Sequence, residues 1–163
     1  MAEDTPSIGA DSVTVAASPD SVRDRFVQHG LRPIGSSRRE IIASLGEPDS
    51  IQAEPVANRY VPGQTDTIFE LSYDGLTATI YHVSGGRDIL SEVVVSDNRH
   101  LRDPAVRIGM PWPEVRRRLG EPWDASDSTF TYQCLSCMGA DAPVNIYVRD
   151  GVVTAIEFAY YVD

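Results

Sequence analysis

The chain has 163 residues, 42% of them apolar and 23% charged, which suits one medium globular domain or two small ones. Its 24 acidic and 14 basic side chains leave a net charge of −10. That charge argues against nucleic acid and against an anionic membrane surface as partners, and no run approaches the ~18 apolar residues of a membrane-spanning helix.

All the basic residues are arginine, which removes lysine Schiff-base chemistry and a P-loop lysine. Residues 1–17 are poor in large apolar side chains and read as a flexible tail. They lack the basic and apolar regions of a signal peptide. The chain therefore reads as cytoplasmic, or as an export product whose leader is already removed. Ser18-Pro19-Asp20 is a helix start, with proline at the first helical position. Val22, Phe26 and Val27 share one face, so a short amphipathic helix is predicted over 19–29, ending at Gly30.

An internal repeat follows. The segment from Ile34 to Pro48 recurs 74 residues later as Ile108 to Pro122, with seven of fifteen positions identical. Ser37 and Glu40 form a capping box. Ile41 and Leu45, like Val115 and Leu119, lie on one helical face. Gly46 and Gly120 fall where a helix stop wants a left-handed residue, and Pro48 and Pro122 prevent continuation. Pro111 replaces the capping serine in the second copy, which predicts a less well capped start. Arg116, Arg117 and Arg118 step around that helix by about 100° each, as a solvated face paired with acidic neighbours.

Strand patterns follow each helix. The first half predicts strands over 66–73, 76–83 and 88–96, with turns at Asp74-Gly75 and Gly85-Gly86. The second predicts 128–133, 143–149 and 152–162, with a turn at Asp150-Gly151. The expected fold is α+β: two tandem units, 18–97 and 98–163, each a short helix pair on a three- to four-stranded antiparallel sheet.

The pattern Ile-Gly-Met-x-x-x-Glu-Val-x-x-x-Leu-Gly-x-Pro, with its tyrosine-bearing strand and final Asp-Gly hairpin, resembles the SmpA/OmlA (BamE-like) domain of bacterial envelopes. The tandem arrangement over residues 19–163 is similar to the β-lactamase-inhibitor protein family. The resemblance implies two such units forming a saddle-shaped sheet surface and a periplasmic or secreted setting. No lipobox cysteine lies near the N-terminus, so a lipid anchor is not implied. No cysteine follows Gly46 or Gly120, where the inhibitor family places a disulfide.

Candidate chemistry is sparse. Cys134 and Cys137 form a lone CxxC, open to three readings: a local loop-closing disulfide, free thiols, or metal or redox chemistry. His29, His82 and His100 are scattered and suit structural roles, and no nucleotide, hydrolase or metalloprotease motif occurs. No enzyme activity, cofactor or metal is expected. Strand alternation turns Val144, Ile146, Val148, Ile156, Phe158 and Tyr160 inward. It leaves Tyr81, Tyr147, Arg149, Glu157 and Tyr161 on an outward face with the chemistry of a protein interface. Cross-strand tyrosines also cover sheets with no partner at all. Trp123 is expected to seal the second helix against the sheet. The expected function is non-enzymatic protein binding through this face, as an envelope scaffold. The alternatives are an inhibitor or immunity-type protein that masks a basic enzyme, and a thiol or metal protein using the CxxC.

Overall fold

The first helix forms where its capping signals sit. In the computed structural model, which describes residues 17–137 and 142–160, α1 spans Pro19–His29, and Ser18 accepts the Ser21 amide at its start. The repeat helices are α2 (Arg38–Leu45) and α3 (Trp112–Leu119). Ser37 Oγ accepts the Glu40 amide, while the Glu40 carboxylate reaches back to Ser36 rather than to Ser37. Pro111 caps α3 without a side-chain bond, as the sequence predicts.

The eight strands are β1 (Ser50–Ala57), β2 (Thr65–Tyr73), β3 (Leu76–His82), β4 (Asp88–Val95), β5 (Asp124–Ser126), β6 (Thr129–Tyr132), β7 (Val144–Arg149) and β8 (Val152–Ala159). They form one antiparallel sheet in the order β1-β2-β3-β4-β8-β7-β6-β5. This corrects two expectations. There is one continuous eight-stranded sheet rather than a small sheet per half, because β4 pairs with β8 from Glu92–Ala159 to Val95–Ile156. Among the described residues the second half has no helix pair: α3 is preceded only by a 3₁₀ turn, Asn98–His100. β1 and β5 show no alternation in burial, since they are the exposed sheet edges.

Inward residues line up across the seam. One row runs Leu71, Ala78, Val93, Phe158, Val144, Tyr132; the next runs Tyr73, Leu76, Val95, Ile156, Ile146, Phe130. The helices cover this face. Phe26 of α1 meets Phe158 at 5.9 Å between ring centroids, Trp112 of α3 stacks on Phe130 at 3.7 Å, and Arg38 of α2 lies over the Phe69 ring. Phe26, Ile41, Val115 and Leu119 are fully buried there. Trp123 is not part of this core. It is 67% exposed, because Pro122 ends the helix turn and the chain enters edge strand β5 directly after it.

The same polar contacts recur in both halves. Tyr73 OH donates to the Gly46 carbonyl and Tyr132 OH to the Gly120 carbonyl, both at 2.9 Å. The Asp49 amide donates to Ser72 O and the Trp123 amide to Thr131 O, both at 2.8 Å. Ser91 and Thr154 are each the extra residue of a bulge, and each hydroxyl donates to a carbonyl of the adjacent strand, Thr79 O and Tyr147 O. Gly46 and Gly120 have φ of 85° and 81° with ψ of −172° and −164°. This is not the left-handed helical region the sequence suggested. It is the extended positive-φ region that only glycine enters readily.

Gly120→Ala is therefore expected to destabilise the fold by about 1–3 kcal/mol through backbone strain alone, since Pro19 Cβ at 3.7 Å would be an ordinary contact for the new methyl. Tyr73→Phe and Tyr132→Phe should each cost about 1 kcal/mol for the lost hydrogen bond. Denaturant titrations read all three. A Gly120→Ala midpoint equal to wild type would refute the proposed backbone requirement.

Candidate protein-binding face

Among the described residues, no helix covers the opposite face of the sheet. Two outward rows dominate it. One runs Gln52, Glu70, Thr79, Glu92, Ala159; the other runs Ser72, Thr77, Val94, Glu157, Asn145, Thr131. The β4·β8 pairing makes Glu92 and Glu157 diagonal neighbours on this face.

Glu157 is held at both oxygens. Asn145 Nδ2 donates to Oε1 at 2.9 Å and Tyr147 OH donates to Oε2. Thr131 Oγ1 donates to Asn145 Oδ1 at 2.7 Å. The bond to Glu157, then burial, pushes the Tyr147 phenol up to about 12. Burial raises the Glu92 carboxyl, and the charges of Glu157 and Glu70 add to it. The face thus presents an acidic patch in which Glu157, Tyr147, Asn145 and Thr131 are held in one hydrogen-bonded group.

The structure sorts the predicted residues. Tyr147 and Glu157 belong to one hydrogen-bonded group. Arg149 is exposed at the end of β7. Tyr81 is on the same face, but its hydroxyl serves a structural carboxylate. Buried Asp66 accepts from Tyr81 OH, from Asn58 Nδ2 at 2.6 Å, from Gln64 Nε2 at 2.8 Å and from the Ser84 amide at 2.9 Å. Tyr161 lies outside the described residues. Glu70 and Glu92 went unmarked in the sequence. Alternation alone turns them outward, but only the β4–β8 register reveals their grouping with Glu157.

Cys134 and Cys137 form a disulfide. It closes a loop that Asp24 ties to α1: Asp24 accepts the Leu135 amide at 3.1 Å and the Ser136 amide at 3.2 Å, and Arg23 Nε donates to Asp24 at 3.1 Å. Burial pulls the Asp24 carboxyl up, but the bonds from Ser136, Leu135 and Arg23 outweigh it and hold it below its ordinary value. Residues 134–137 themselves are not helical, and no group of three or more His, Cys, Asp or Glu suited to a metal occurs among the described residues. Two of the histidines are separately engaged. His82 Nδ1 meets Asp88 at 2.7 Å, where Arg38 also binds, and His100 meets the Asp74 carbonyl. The arginine run pairs as expected, Arg116 with Glu121 and both Arg117 and Arg118 with Glu114, which they hold down at about 2.

Two outcomes follow. Reduction of the disulfide should speed amide exchange at Leu135 and Ser136 by NMR; unchanged protection would show that Asp24 holds the loop unaided. Hydrogen bonds from Ser84, Tyr81, Gln64 and Asn58 outweigh burial and depress the Asp66 carboxyl well below the usual range. Its stabilisation is therefore complete above the ordinary carboxylate pKa of about 4 and drains as pH falls below it. Asp66→Asn should lower stability at neutral pH and flatten its acid dependence below pH ~4. An acid slope matching wild type would remove Asp66 from that role.

No protein-family model matches the chain, and no curated protein matches it. A crystal structure of a proposed beta-lactamase inhibitor protein from Streptococcus mutans is similar over 82% of this chain and 91% of that one, at 15% identity and a TM-score of 0.28. A likeness at that level establishes neither fold nor activity. Among the described residues no helix is long and apolar enough to cross a membrane.

Proposed function

We propose that this chain is a protein-binding module whose binding surface is the uncovered sheet face. The observation that carries the reading is the patch of Glu157, Glu92 and Glu70 with Tyr147 and Asn145, spread over β2, β4, β7 and β8, in which Asn145 and Tyr147 hold Glu157 by hydrogen bonds. Rigid, partly buried tyrosine and carboxylate groups suit an interface, because little side-chain entropy remains to be lost on binding. The partner it fits is a protein with a basic surface, drawn in by long-range charge and oriented by the patch. Arg149 marks the rim of the surface.

The duplicated tyrosine–glycine bond, strand-entry bond and hydroxyl-braced bulge support a tandem layout of 18–97 and 98–163, each half contributing four strands to the shared face. The disulfide supports an oxidising compartment, periplasmic or secreted. Within that setting the module acts as a non-enzymatic envelope scaffold. The charge of the face also favours a second reading, an inhibitor that masks a basic enzyme.

The test is a pull-down from envelope and soluble fractions with wild type and with Glu92→Arg/Glu157→Arg. A partner should be retained by wild type, released by salt and lost by the charge reversal, while Arg117→Ala on the helix side should leave capture intact. Recovery from the envelope fraction indicates a scaffold, and a soluble one-to-one enzyme complex indicates an inhibitor. A partner captured equally by the charge-reversed variant refutes the sheet face as the surface.

A further inference from the structure

The helix side holds a separate feature. A groove of about 860 Å³ opens between the C-terminal end of α1, the segment after it, and the sheet where β4 and β7 begin and β8 ends. Its size lies within the range of small-molecule sites. Leu31, Phe158 and Tyr160 contribute apolar lining, and Arg32, Arg87 and Arg102 contribute cationic groups. In a chain of net charge −10, three arginines at one groove run against the overall composition.

Backbone pairing explains how two of them come together. Leu31 and Leu101 form an isolated antiparallel bridge. The Arg32 amide donates to His100 O at 2.9 Å and the Arg102 amide to Gly30 O at 2.7 Å. Residues on either side of such a bridge project opposite to the bridging pair. Arg32 and Arg102 are therefore diagonal neighbours on one side, about 7–8 Å apart by ordinary strand geometry. Arg87 closes the β3–β4 hairpin, where its carbonyl accepts the Val83 amide. Among the described lining residues the single carboxylate is Asp88, and its oxygens are already engaged by Arg38 and His82. The arginines are thus not offset by a free carboxylate within the described lining.

We propose that this groove is a binding site for a small amphipathic anion, with an apolar body against Phe158 and Tyr160 and a carboxylate or sulfonate head on Arg32 and Arg102. Guanidinium groups suit such a head because their planar donors match it in pairs. The site is on the opposite side of the sheet from the acidic face and does not rest on the protein-binding reading.

The test uses the full chain, with anilinonaphthalene sulfonate as fluorescent probe and dodecanoate below its micelle concentration as competitor. Saturable one-to-one binding of the probe is expected. Dodecanoate should displace it, while dodecanol of the same chain length should not. Arg32→Gln/Arg102→Gln removes exposed side chains, and unchanged circular dichroism confirms its fold. It should weaken both anions by about tenfold or more, while Arg117→Gln on α3 should not. The absence of saturable binding would overturn the proposal. So would displacement by dodecanol as strong as by dodecanoate, or equal affinity in the double variant.

Discussion

The ladder between β4 and β8 is the pairing on which the architecture depends. Four residue pairs join strands whose repeat helices lie 74 residues apart in sequence, and they turn two meanders into one sheet. Each meander alone would expose an additional strand edge with unpaired amides and carbonyls. Joined, they leave β1 and β5 as the edges. β1 carries Glu54 and Pro55 and β5 is three residues long, features that discourage further strand addition. The ladder also aligns the inward rows, so that Val93 and Phe158 belong to one continuous apolar layer.

Part of the acidity is structural. Asp24, Asp66, Asp88 and Asp103 are buried or nearly so, and each ties irregular chain to the framework. Asp103 takes Arg25 at 2.6 Å and the Ala105 amide at 2.9 Å. Asp88 joins the amide and guanidinium of Arg38 at the start of α2. Asp66 uses four neutral donors and no cation. Such carboxylates are compensated by hydrogen bonds, without which burying them would cost several kcal/mol. The outer sheet face carries Glu70, Glu92 and Glu157 besides these structural carboxylates. The groove lined by Arg32, Arg87 and Arg102 lies on the helix side, so the sheet separates it from the acidic face.

Local signals accounted for the helices and the central strands. Pro19, Ser37, Gly46 and Gly120 mark helix ends through backbone chemistry that acts within a few residues, and alternation over 76–82 and 144–149 reflects a sheet buried on one side. The edge strands escaped because three residues are too few for β5 to show a period, and Pro55 interrupts the short alternating run of β1. Trp123 misled because its position after Leu-Gly-Glu-Pro resembles a core seal, whereas edge strand β5 carries it into solvent. The outward direction of Tyr147 and Glu157 followed from strand period, but the role of Tyr81 did not, since Asp66 reaches it across paired strands.

The amino-acid sequence by itself determined the repeat, the capped helices, the hairpins and which side of each strand is apolar, because caps, turns and side-chain period are short-range properties. Only the tertiary structure decided that the halves share one sheet, that Glu70, Glu92 and Glu157 form one patch, and that Arg32 and Arg102 meet at a groove. Those results depend on the register between distant strands and on one isolated bridge, pairings selected by the burial of the whole core rather than by any segment within it.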